Sequence, residues 1–261
     1  MVVAGCDIGS LTTKVVLLNN TKVIAQHVKK SQFNPVESAN EVMDEALKLA
    51  GLTLKDIEFC VGTGYGRERI PFVNKAVSEI ACHAKGAHFS MPSIRTVIDI
   101  GGQDCKAIRI NNKGTIEKFF TNDKCASGTG RFLEVMAKIL GVSLEELGSL
   151  SAYAKDPIIL SSNCTAWSQA EVILHLNMKR PKADIAAGIN QAMAARVALL
   201  AKAVGIEKDI CMTGGVAKNI GVVTAMEKQL ALPIRRLRMD PQLVGALGAA
   251  VLAQEKVKGG K

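Results

Sequence analysis

An internal repeat constrains the fold of this chain more than any other feature of its sequence. The run Asp-Ile-Gly-Ser at residues 7–10 returns 92 positions later as Asp-Ile-Gly-Gly at residues 99–102. The same offset aligns Lys14 with Lys106 and one Asn-Asn pair with another. Each copy predicts a strand, a tight glycine turn and a second strand. Two copies of this unit predict two similar subdomains that face each other across a cleft.

The remaining pattern is typical of an α/β fold, because short apolar strands alternate with longer helical segments. We expect a short strand over residues 158–160 and a helix from about residue 74 to residue 89. The repeat places the first subdomain at residues 1–92 and the second at residues 93–261. The C-terminal helix can pack back on the first subdomain.

Composition excludes several classes of protein. The chain has 261 residues, of which 48% are apolar, so disorder of the whole chain is excluded. It has no apolar run long enough to span a membrane and no secretory-signal pattern, so we expect a cytoplasmic protein without a membrane partner. The net charge is +9, but aromatic residues make up only 4%, which argues against nucleic-acid binding. We expect a basic surface that can dock an acidic partner.

The seven cysteines do not form a familiar metal or disulfide pattern. Their number is odd, and no two are spaced as C-x-x-C. This argues against a secreted disulfide framework, a zinc ribbon and a ferredoxin-type cluster held by one chain. Most cysteines in such a chain are small buried apolar residues. We predict that role for Cys6, Cys60, Cys82, Cys105 and Cys211.

Three glycine loops at strand ends indicate a nucleotide site. Glycine lets backbone N–H groups approach phosphate oxygens, and neighbouring hydroxyl and ammonium groups add donors. One such loop alone is an ordinary turn, but three together favour nucleotide binding, although neither a Walker A loop nor a G-x-G-x-x-G fingerprint is present. The candidates in these loops are Gly9, Ser10, Leu11, Thr12, Thr13, Lys14, Gly101, Gly102, Gly214, Gly215, Lys218 and Asn219. Asp7 and Asp99 end the two repeated strands and suit a hydrated Mg²⁺ ion.

The duplicated Asp-x-Gly hairpin and the late glycine loop resemble the superfamily of acetate and sugar kinases, Hsp70 and actin. The resemblance implies an α/β, actin-like ATPase fold with two duplicated, ribonuclease H-like subdomains around a nucleotide cleft. Four motifs resemble one branch more closely, the BadF/BadG/BcrA/BcrD-type ATPases that activate (R)-2-hydroxyacyl-CoA dehydratases. They are NDKCASGTGRFL at residues 122–133, SSNCT at 161–165, GTGYGR at 62–67 and VIDIGGQD at 97–104.

This resemblance implies a homodimeric ATPase that holds one 4Fe–4S cluster between its subunits, with Cys125 and Cys164 as the ligands from each. The sequence agrees, because a cubane cluster needs four thiolates and a twofold axis doubles two well-placed cysteines. Both cysteines precede helical segments, whose N-termini favour an anionic cluster. A zinc site or inert thiols are the alternatives. We expect Trp167 to pack at the dimer seam, and His83 to be a packed helix residue rather than a ligand.

The resemblance further implies electron transfer driven by ATP. Ferredoxin or flavodoxin would reduce the cluster, ATP would close the cleft and rotate the helices behind both cysteines, and the electron would pass to an iron–sulfur dehydratase or reductase. For hydrolysis we expect Asp7 and Asp99 to hold Mg²⁺ through water, and Gln103 or Asp104 to orient the attacking water. The resemblance extends the ATP/ADP site to Ser127, Gly128, Thr129, Gly130, Gln242 and Glu134, the last of which is equally compatible with a solvated helix face.

Two other functions remain open from the sequence. A small-molecule kinase of the same superfamily would release ADP in a substrate-dependent manner and contain no iron. A non-catalytic nucleotide-binding scaffold would bind ATP with negligible turnover. Within the activator class, the acceptor can instead be another double-cubane-type reductase. The cysteine pair at positions 125 and 164 separates the activators from both alternatives, because neither alternative needs it.

Overall fold

The computed structural model describes residues 1–122, 125–161 and 164–259. The chain divides into two compact units. The first contains residues 1–95, residues 110–117 and the chain from Leu237 onward, and the second contains Thr96–Arg109 and Lys118–Arg236. Within the described ranges, no helix combines the length and the apolar character that crossing a bilayer requires.

The first sheet is built around the strand that opens the chain. Its described strands are β1 (Val2–Ile8), β2 (Thr12–Asn19), β3 (Lys22–Lys30), β4 (Ile57–Thr63) and β5 (Lys75–Ala76), in the order β3-β2-β1-β4-β5. β1 pairs with β2 in antiparallel and with β4 in parallel orientation. The antiparallel register places Lys14 opposite Asp7. The predicted hairpin therefore sets a cation beside the carboxylate at the end of β1.

The second sheet repeats this topology. Its described strands are β6 (Thr96–Ile100), β7 (Cys105–Ile110), β8 (Ile116–Asn122), β9 (Ile210–Thr213) and β10 (Ile234–Arg235), in the order β8-β7-β6-β9-β10 when written in the same direction as the first. β6 is antiparallel to β7 and parallel to β9, and Lys106 lies opposite Asp99. Strand order matches between the two sheets, and so does the orientation of the strands on either side of β1 and β6, as expected of two ribonuclease H-like subdomains in an actin-like fold.

Eight α-helices occur in the described residues. They are α1 (Pro35–Ala50), α2 (Glu79–Ser90), α3 (Gly130–Leu140), α4 (Leu144–Leu150), α5 (Thr165–Asn177), α6 (Lys182–Val204), α7 (Ile220–Leu230) and α8 (Val244–Gly259). Local chemistry defines α1, because the Asn34 side chain accepts a hydrogen bond from the Val36 N–H and Gly51 ends the helix in the left-handed region. α6 is the core helix of the second unit and buries more than half of its residues.

β1 lies in the middle of the first unit. One face, with Ala4, Cys6 and Ile8, packs in a cluster with α1, and the other packs in a cluster with α8. Gly5 allows the second contact, because a Cβ there would overlap the Ala246 carbonyl oxygen. In the second unit, the strands β6 and β7 pack in one cluster with α3, α6 and α7. Each sheet thus fixes its central carboxylate strand in an apolar core.

Two predicted elements are wrong. Residues 158–160 form no strand, because the Ile158 N–H donates to the Asp184 carbonyl oxygen and the segment packs against Gly188 of α6 instead of a sheet. The helix predicted from residue 74 begins only at Glu79. Before it, the N–H groups of Asn74 and Val77 donate to carbonyl oxygens of β4, so this stretch extends the first sheet as an edge.

Candidate functional site

The first carboxylate site is a buried ion pair at the end of β1. Asp7 is 5% exposed, and its Oδ2 lies 3.1 Å from Lys14 Nζ. The turn between them closes when the Gly9 N–H donates to the Thr12 carbonyl oxygen over 3.1 Å. Because the pair is buried, loss of the lysine would leave a carboxylate without its cation in the interior.

The second carboxylate site repeats the first with more partners. Lys106 Nζ lies 3.4 Å from Asp99 Oδ2 and 2.6 Å from Asp104 Oδ2. The Thr213 hydroxyl donates to Asp99 Oδ1 over 2.9 Å. The turn here closes from the Gly101 N–H to the Asp104 carbonyl oxygen. A single ammonium therefore serves two carboxylates in this unit.

The two residues predicted to orient water have different surroundings. Gln103 is exposed in the turn after β6, so its amide can reach a bound molecule. Asp104 is buried, and its carboxylate is held by Lys106 at 2.6 Å. Of the two, Gln103 is therefore the side chain that is open to a bound molecule, whereas Asp104 fixes Lys106.

Several predicted nucleotide contacts also stabilise the loops themselves. Thr13 is fully buried, and its hydroxyl lies 2.9 Å from that of Ser31. The Asn219 side chain caps α7 by accepting from the Val222 N–H. Ser10 remains exposed in the first turn and has the freedom to bind a ligand.

Gly214 brings the third glycine loop against the second carboxylate. Its φ is +83°, and a Cβ there would overlap the Ile100 carbonyl oxygen and approach Asp99 Oδ1 to 2.9 Å. The short turn Gly215–Lys218 then leads into α7. Only glycine fits this position, because both the backbone angle and the space exclude a side chain.

Sequence reasoning missed the role of Gly64. It follows β4 as Gly214 follows β9, its φ is +87°, and a Cβ there would lie 2.7 Å from Asp7 Oδ1. The first unit therefore contains its own copy of the late glycine loop. The signal was a Thr-Gly pair after an apolar strand, at positions 63–64 and 213–214, which is too short to stand out without the sheet topology.

Sequence reasoning also missed that His83 lies near Asp7. It is buried on α2, as expected of a packed histidine. A Cβ built on Gly245 of α8 would lie 2.8 Å from His83 Nε2 and 3.1 Å from Asp7 Oδ2. The absent side chain at Gly245 thus leaves room for an imidazole beside the carboxylate of β1.

The two remaining predicted nucleotide contacts, Gln242 and Glu134, each bond to a residue of their own unit. Gln242 Nε2 donates to the Thr12 hydroxyl over 3.4 Å, which places this amide beside the first glycine turn. Glu134 pairs with Arg131 at 2.9 Å on the first turns of α3. The pairing agrees with the solvated-face interpretation of Glu134 and leaves a ribose contact as a prediction.

The cysteines fall into two classes, and all seven lie in the described residues. Cys6, Cys60, Cys82, Cys105 and Cys211 are buried, as predicted, whereas Cys125 and Cys164 are exposed. Burial raises the pKa of Cys60, Cys82 and Cys105 to about 12. Of the seven, only Cys125 and Cys164 are therefore exposed enough to bind a metal group from outside the chain.

Cys125 is prepared as a thiolate by its own turn. The hydroxyl and the N–H of Ser127 hydrogen-bond to Sγ and lower the pKa of the Cys125 thiol. The sulfur-to-hydroxyl distance is 2.9 Å. The short turn Ala126–Gly128 follows the cysteine, and α3 begins at Gly130. Residues 123 and 124, which precede Cys125 in its motif, lie outside the described residues.

Cys164 occupies the N-cap of α5, and its carbonyl oxygen accepts from the Ser168 N–H over 2.9 Å. The preceding residues 162 and 163 lie outside the described residues. In the described ranges, no three His, Cys, Asp or Glu side chains are grouped closely enough to hold a metal ion. Two exposed thiols at the starts of helical segments fit half of a four-thiolate site.

The turn after Cys125 is bonded directly to the second glycine turn. The Gly130 N–H donates to the Gly101 carbonyl oxygen over 2.8 Å, and the Arg131 N–H donates to Gly102 over 2.9 Å. Thr129 is fully buried, and its hydroxyl closes the same turn on Ala126. Two N–H groups at the start of α3 thus donate to the loop beside Asp99, which connects that loop to the turn after Cys125.

Comparison with known proteins places this chain in a family. The sequence model of the BadF/BadG/BcrA/BcrD ATPase family matches residues 4–253. The chain is 44% identical to an activator of lactoyl-CoA dehydratase from Anaerotignum propionicum, over 98% of both chains. It is also 44% identical to an (R)-2-hydroxyglutaryl-CoA dehydratase activating ATPase from Acidaminococcus fermentans, covering 97% of this chain and 96% of the relative.

A solved structure supports the same relationship. It is the activator of 2-hydroxyisocaproyl-CoA dehydratase from Clostridium difficile with bound ADPNP. Its TM-score is 0.95 at 42% sequence identity, with coverage of 100% of this chain and 97% of the other. The fold, and not only the motifs, is therefore shared along the whole length.

Proposed function

We propose, because this chain belongs to the BadF/BadG/BcrA/BcrD ATPase family, that it is an ATP-dependent one-electron donor that activates a partner iron–sulfur enzyme. The acceptor that the relatives favour is a 2-hydroxyacyl-CoA dehydratase, since two relatives with 44% identity are named as activators of such enzymes. The observation that carries the proposal is the separation of Cys125 and Cys164 from the five buried cysteines.

ATP hydrolysis is assigned to the residues around the two repeated carboxylates. Asp7 and Asp99 would hold Mg²⁺ through its water shell, because each carboxylate already has a lysine partner. Exposed Gln103 would orient the attacking water. Phosphoryl transfer needs mainly such positioning and charge neutralisation, which these groups supply without a covalent intermediate.

The thiolates of Cys125 and Cys164 are assigned as cluster ligands, completed by the same pair from a second copy of the chain. A 4Fe–4S cluster held by these four thiolates supplies the one-electron carrier. The surface near Cys164 supports a homodimer, because Trp167 is 70% and Ile159 84% exposed in the single chain. Large exposed apolar side chains beside a shared site are typical of a subunit interface.

The hydrogen bonds between the glycine turn and α3 provide the coupling between nucleotide and electron transfer. Gly101 and Gly102 lie beside Asp99, and their carbonyl oxygens bind the start of the helix that follows Cys125. A change in the phosphates at this turn would move the thiolate by a short, rigid route. Coupling of about 1–3 kcal/mol is typical between such sites and suffices to bias electron transfer.

The electron donor is proposed to be ferredoxin or flavodoxin. The net charge of +9 supports an acidic docking partner in general.

Oxygen-free purification with iron and sulfide analysis tests this function. We expect a brown protein with about four irons per two chains, the content of one cubane cluster, and ATP turnover without a phosphoryl acceptor. Cys125→Ser and Cys164→Ser should each remove the colour and keep nucleotide affinity, whereas Cys60→Ala, at a buried position of the first unit, should keep the iron.

Iron-free protein that releases ADP only with a small-molecule substrate would instead identify a kinase. ATP binding with negligible turnover would identify a scaffold. Colour that survives in both cysteine variants would overturn the ligand assignment.

A further inference from the structure

Arg196 lies behind the Cys125 turn. It belongs to α6, the core helix of the second unit, and is partly buried there. Its Nη1 donates to the Ser127 carbonyl oxygen over 3.1 Å, and its guanidinium stacks over the Phe132 ring at 5.1 Å. A planar guanidinium can stack on a ring with its face and donate a hydrogen bond from its edge at the same time. Arg196 thereby connects the turn after Cys125 to α6, a helix that contains no cysteine.

The electrostatic setting of Arg196 is anionic. Burial lowers the pKa of its guanidinium, and Cys125, Cys164 and Glu171 oppose that effect through their charges. The arginine remains charged, because its ordinary pKa lies far above neutrality. Both proposed ligands of one chain therefore lie within electrostatic reach of one cation.

Partly burying the charge of Arg196 costs hydration free energy. α6 is otherwise dominated by small and apolar residues, and an apolar side chain would avoid the loss of hydration that burying a charge entails. The hydrogen bond from Arg196 to Ser127 connects the arginine to Cys125, since the hydroxyl and N–H of Ser127 hydrogen-bond to Cys125 Sγ. The guanidinium fixes the carbonyl of the residue that fixes the thiolate.

We propose that Arg196 is a positioning residue of the cluster site, which holds the turn after Cys125 in place and supplies positive charge behind both cysteine ligands. The inference rests on the proposed function, because it assigns a role toward the group that these thiolates would bind. A fixed cation favours the more negative, reduced form of that group. Loss of the charge should therefore make reduction harder, while loss of the hydrogen bond should loosen the turn.

The hydrogen-bonding role is tested in the metal-free protein by amide hydrogen exchange. Arg196→Met should speed exchange roughly tenfold at Thr129 and Phe132, whose N–H groups close the turn, because a hydrogen bond to a charged group is lost. Arg196→Lys should give a smaller increase. Lys202→Met removes the same charge from an exposed position of α6 and should change nothing. Unchanged exchange in the interior of α6 would show that the variants fold.

The charge role is tested by the midpoint potential of the loaded dimer, measured by reductive titration with electron paramagnetic resonance. Arg196→Met should keep its iron but shift the equilibrium constant for reduction about tenfold toward the oxidised form, which is 59 mV for a one-electron couple. Arg196→Lys should shift it less, and Lys202→Met should match the wild type.

These outcomes separate the inference from the function on which it rests. A wild-type protein that takes up no cluster would refute the proposed function, while exchange in the metal-free protein would still test the hold on the turn. A loaded Arg196→Met dimer with unchanged potential would overturn the charge role. Unchanged exchange at Thr129 and Phe132 would overturn the positioning role.

Discussion

Lys106 and Lys14 are equivalent residues of the repeat with different electrostatic duties. Lys106 neutralises two buried carboxylates, Asp99 and Asp104, whereas in the described part of the chain Lys14 pairs with one, Asp7. Removing one partner from a buried ion pair leaves an uncompensated charge, which is far more destabilising than the pair is stabilising. The second unit should therefore depend on its lysine more strongly than the first.

Lys106→Met is expected to lower the free energy of unfolding by about 3 kcal/mol or more, the usual loss for a buried pair left without its cation. Lys14→Met is the matched control and should lose less, since only one carboxylate is left behind. Denaturant unfolding of both variants provides the comparison. Equal decreases in the free energy of unfolding would show that the Asp104 carboxylate does not add to the destabilisation when Lys106 is removed.

Ser127 tunes the reactivity of one cysteine. Its hydrogen bonds lower the pKa of the Cys125 thiol, so thiolate is present at lower pH than for an ordinary cysteine. In Ser127→Ala the hydroxyl is lost, the pKa rises, and the profile of alkylation rate against pH in metal-free protein should move to higher pH. Alkylation of Cys164 in the same sample is the internal control. A Cys125 profile that does not move would remove Ser127 from the account.

At the scale of elements, glycines set how closely α2 and α8 approach. A Cβ on Gly248 would overlap the Cys82 carbonyl oxygen, and one on Gly86 would overlap the Val244 carbonyl oxygen. The two helices therefore meet backbone to backbone in the first unit, and α8 also packs on β1. This contact positions His83 and Gly245 beside Asp7.

Gly248→Val should destabilise the chain by about 3 kcal/mol or more, because the new side chain would meet backbone that cannot yield without separating the helices. Gly259→Ala, at the end of the same helix, has open space around its Cβ and should be neutral. Melting temperatures of the two variants test this. A Gly248→Val protein as stable as wild type would mean that the helices can part at little cost.

Gly245→Ala addresses function at the same crossing. The added methyl would press on His83 Nε2 and Asp7 Oδ2, at 2.8 and 3.1 Å, and displace the groups at the proposed magnesium site. We expect the ATPase rate to fall roughly tenfold to a hundredfold, as misplaced catalytic groups usually cause. The melting temperature should change little, since alanine is favoured over glycine in a helix. An ATPase rate equal to that of the wild type would show that the contact between Gly245, His83 and Asp7 does not affect catalysis.

Elements with a local cause were predictable, and those fixed by distant packing were not. The strand–turn–strand units followed from apolar runs broken by glycine, with a lysine at the same place in each copy. The triplet at residues 158–160 has the composition of a strand, but its backbone pairs with the start of α6, a partner that no local pattern reveals. No local pattern predicts a role for Arg196, because its hydrogen-bond partner Ser127 lies 69 residues away in the sequence.

At the scale of the whole molecule, the duplication explains both the fold and the layout of the predicted site. Each unit presents a carboxylate, a lysine and two glycine turns around one parallel–antiparallel strand junction. The first unit also collects the chain from Leu237 onward, because α8 packs on β1. Cys125 and Cys164 have no counterpart in the first repeat, so the second unit alone carries the proposed cluster ligands.

Oxygen-free native mass spectrometry shows whether two chains share one cluster, because it reports chain number and metal content in one species. We predict a dimer at about twice 27.7 kDa that carries the added mass of one four-iron, four-sulfur cluster. Cys125→Ser should remove that mass increment from the dimer. A wild-type protein that appears only as metal-free chains, or as a single chain with its own cluster, would contradict the claim.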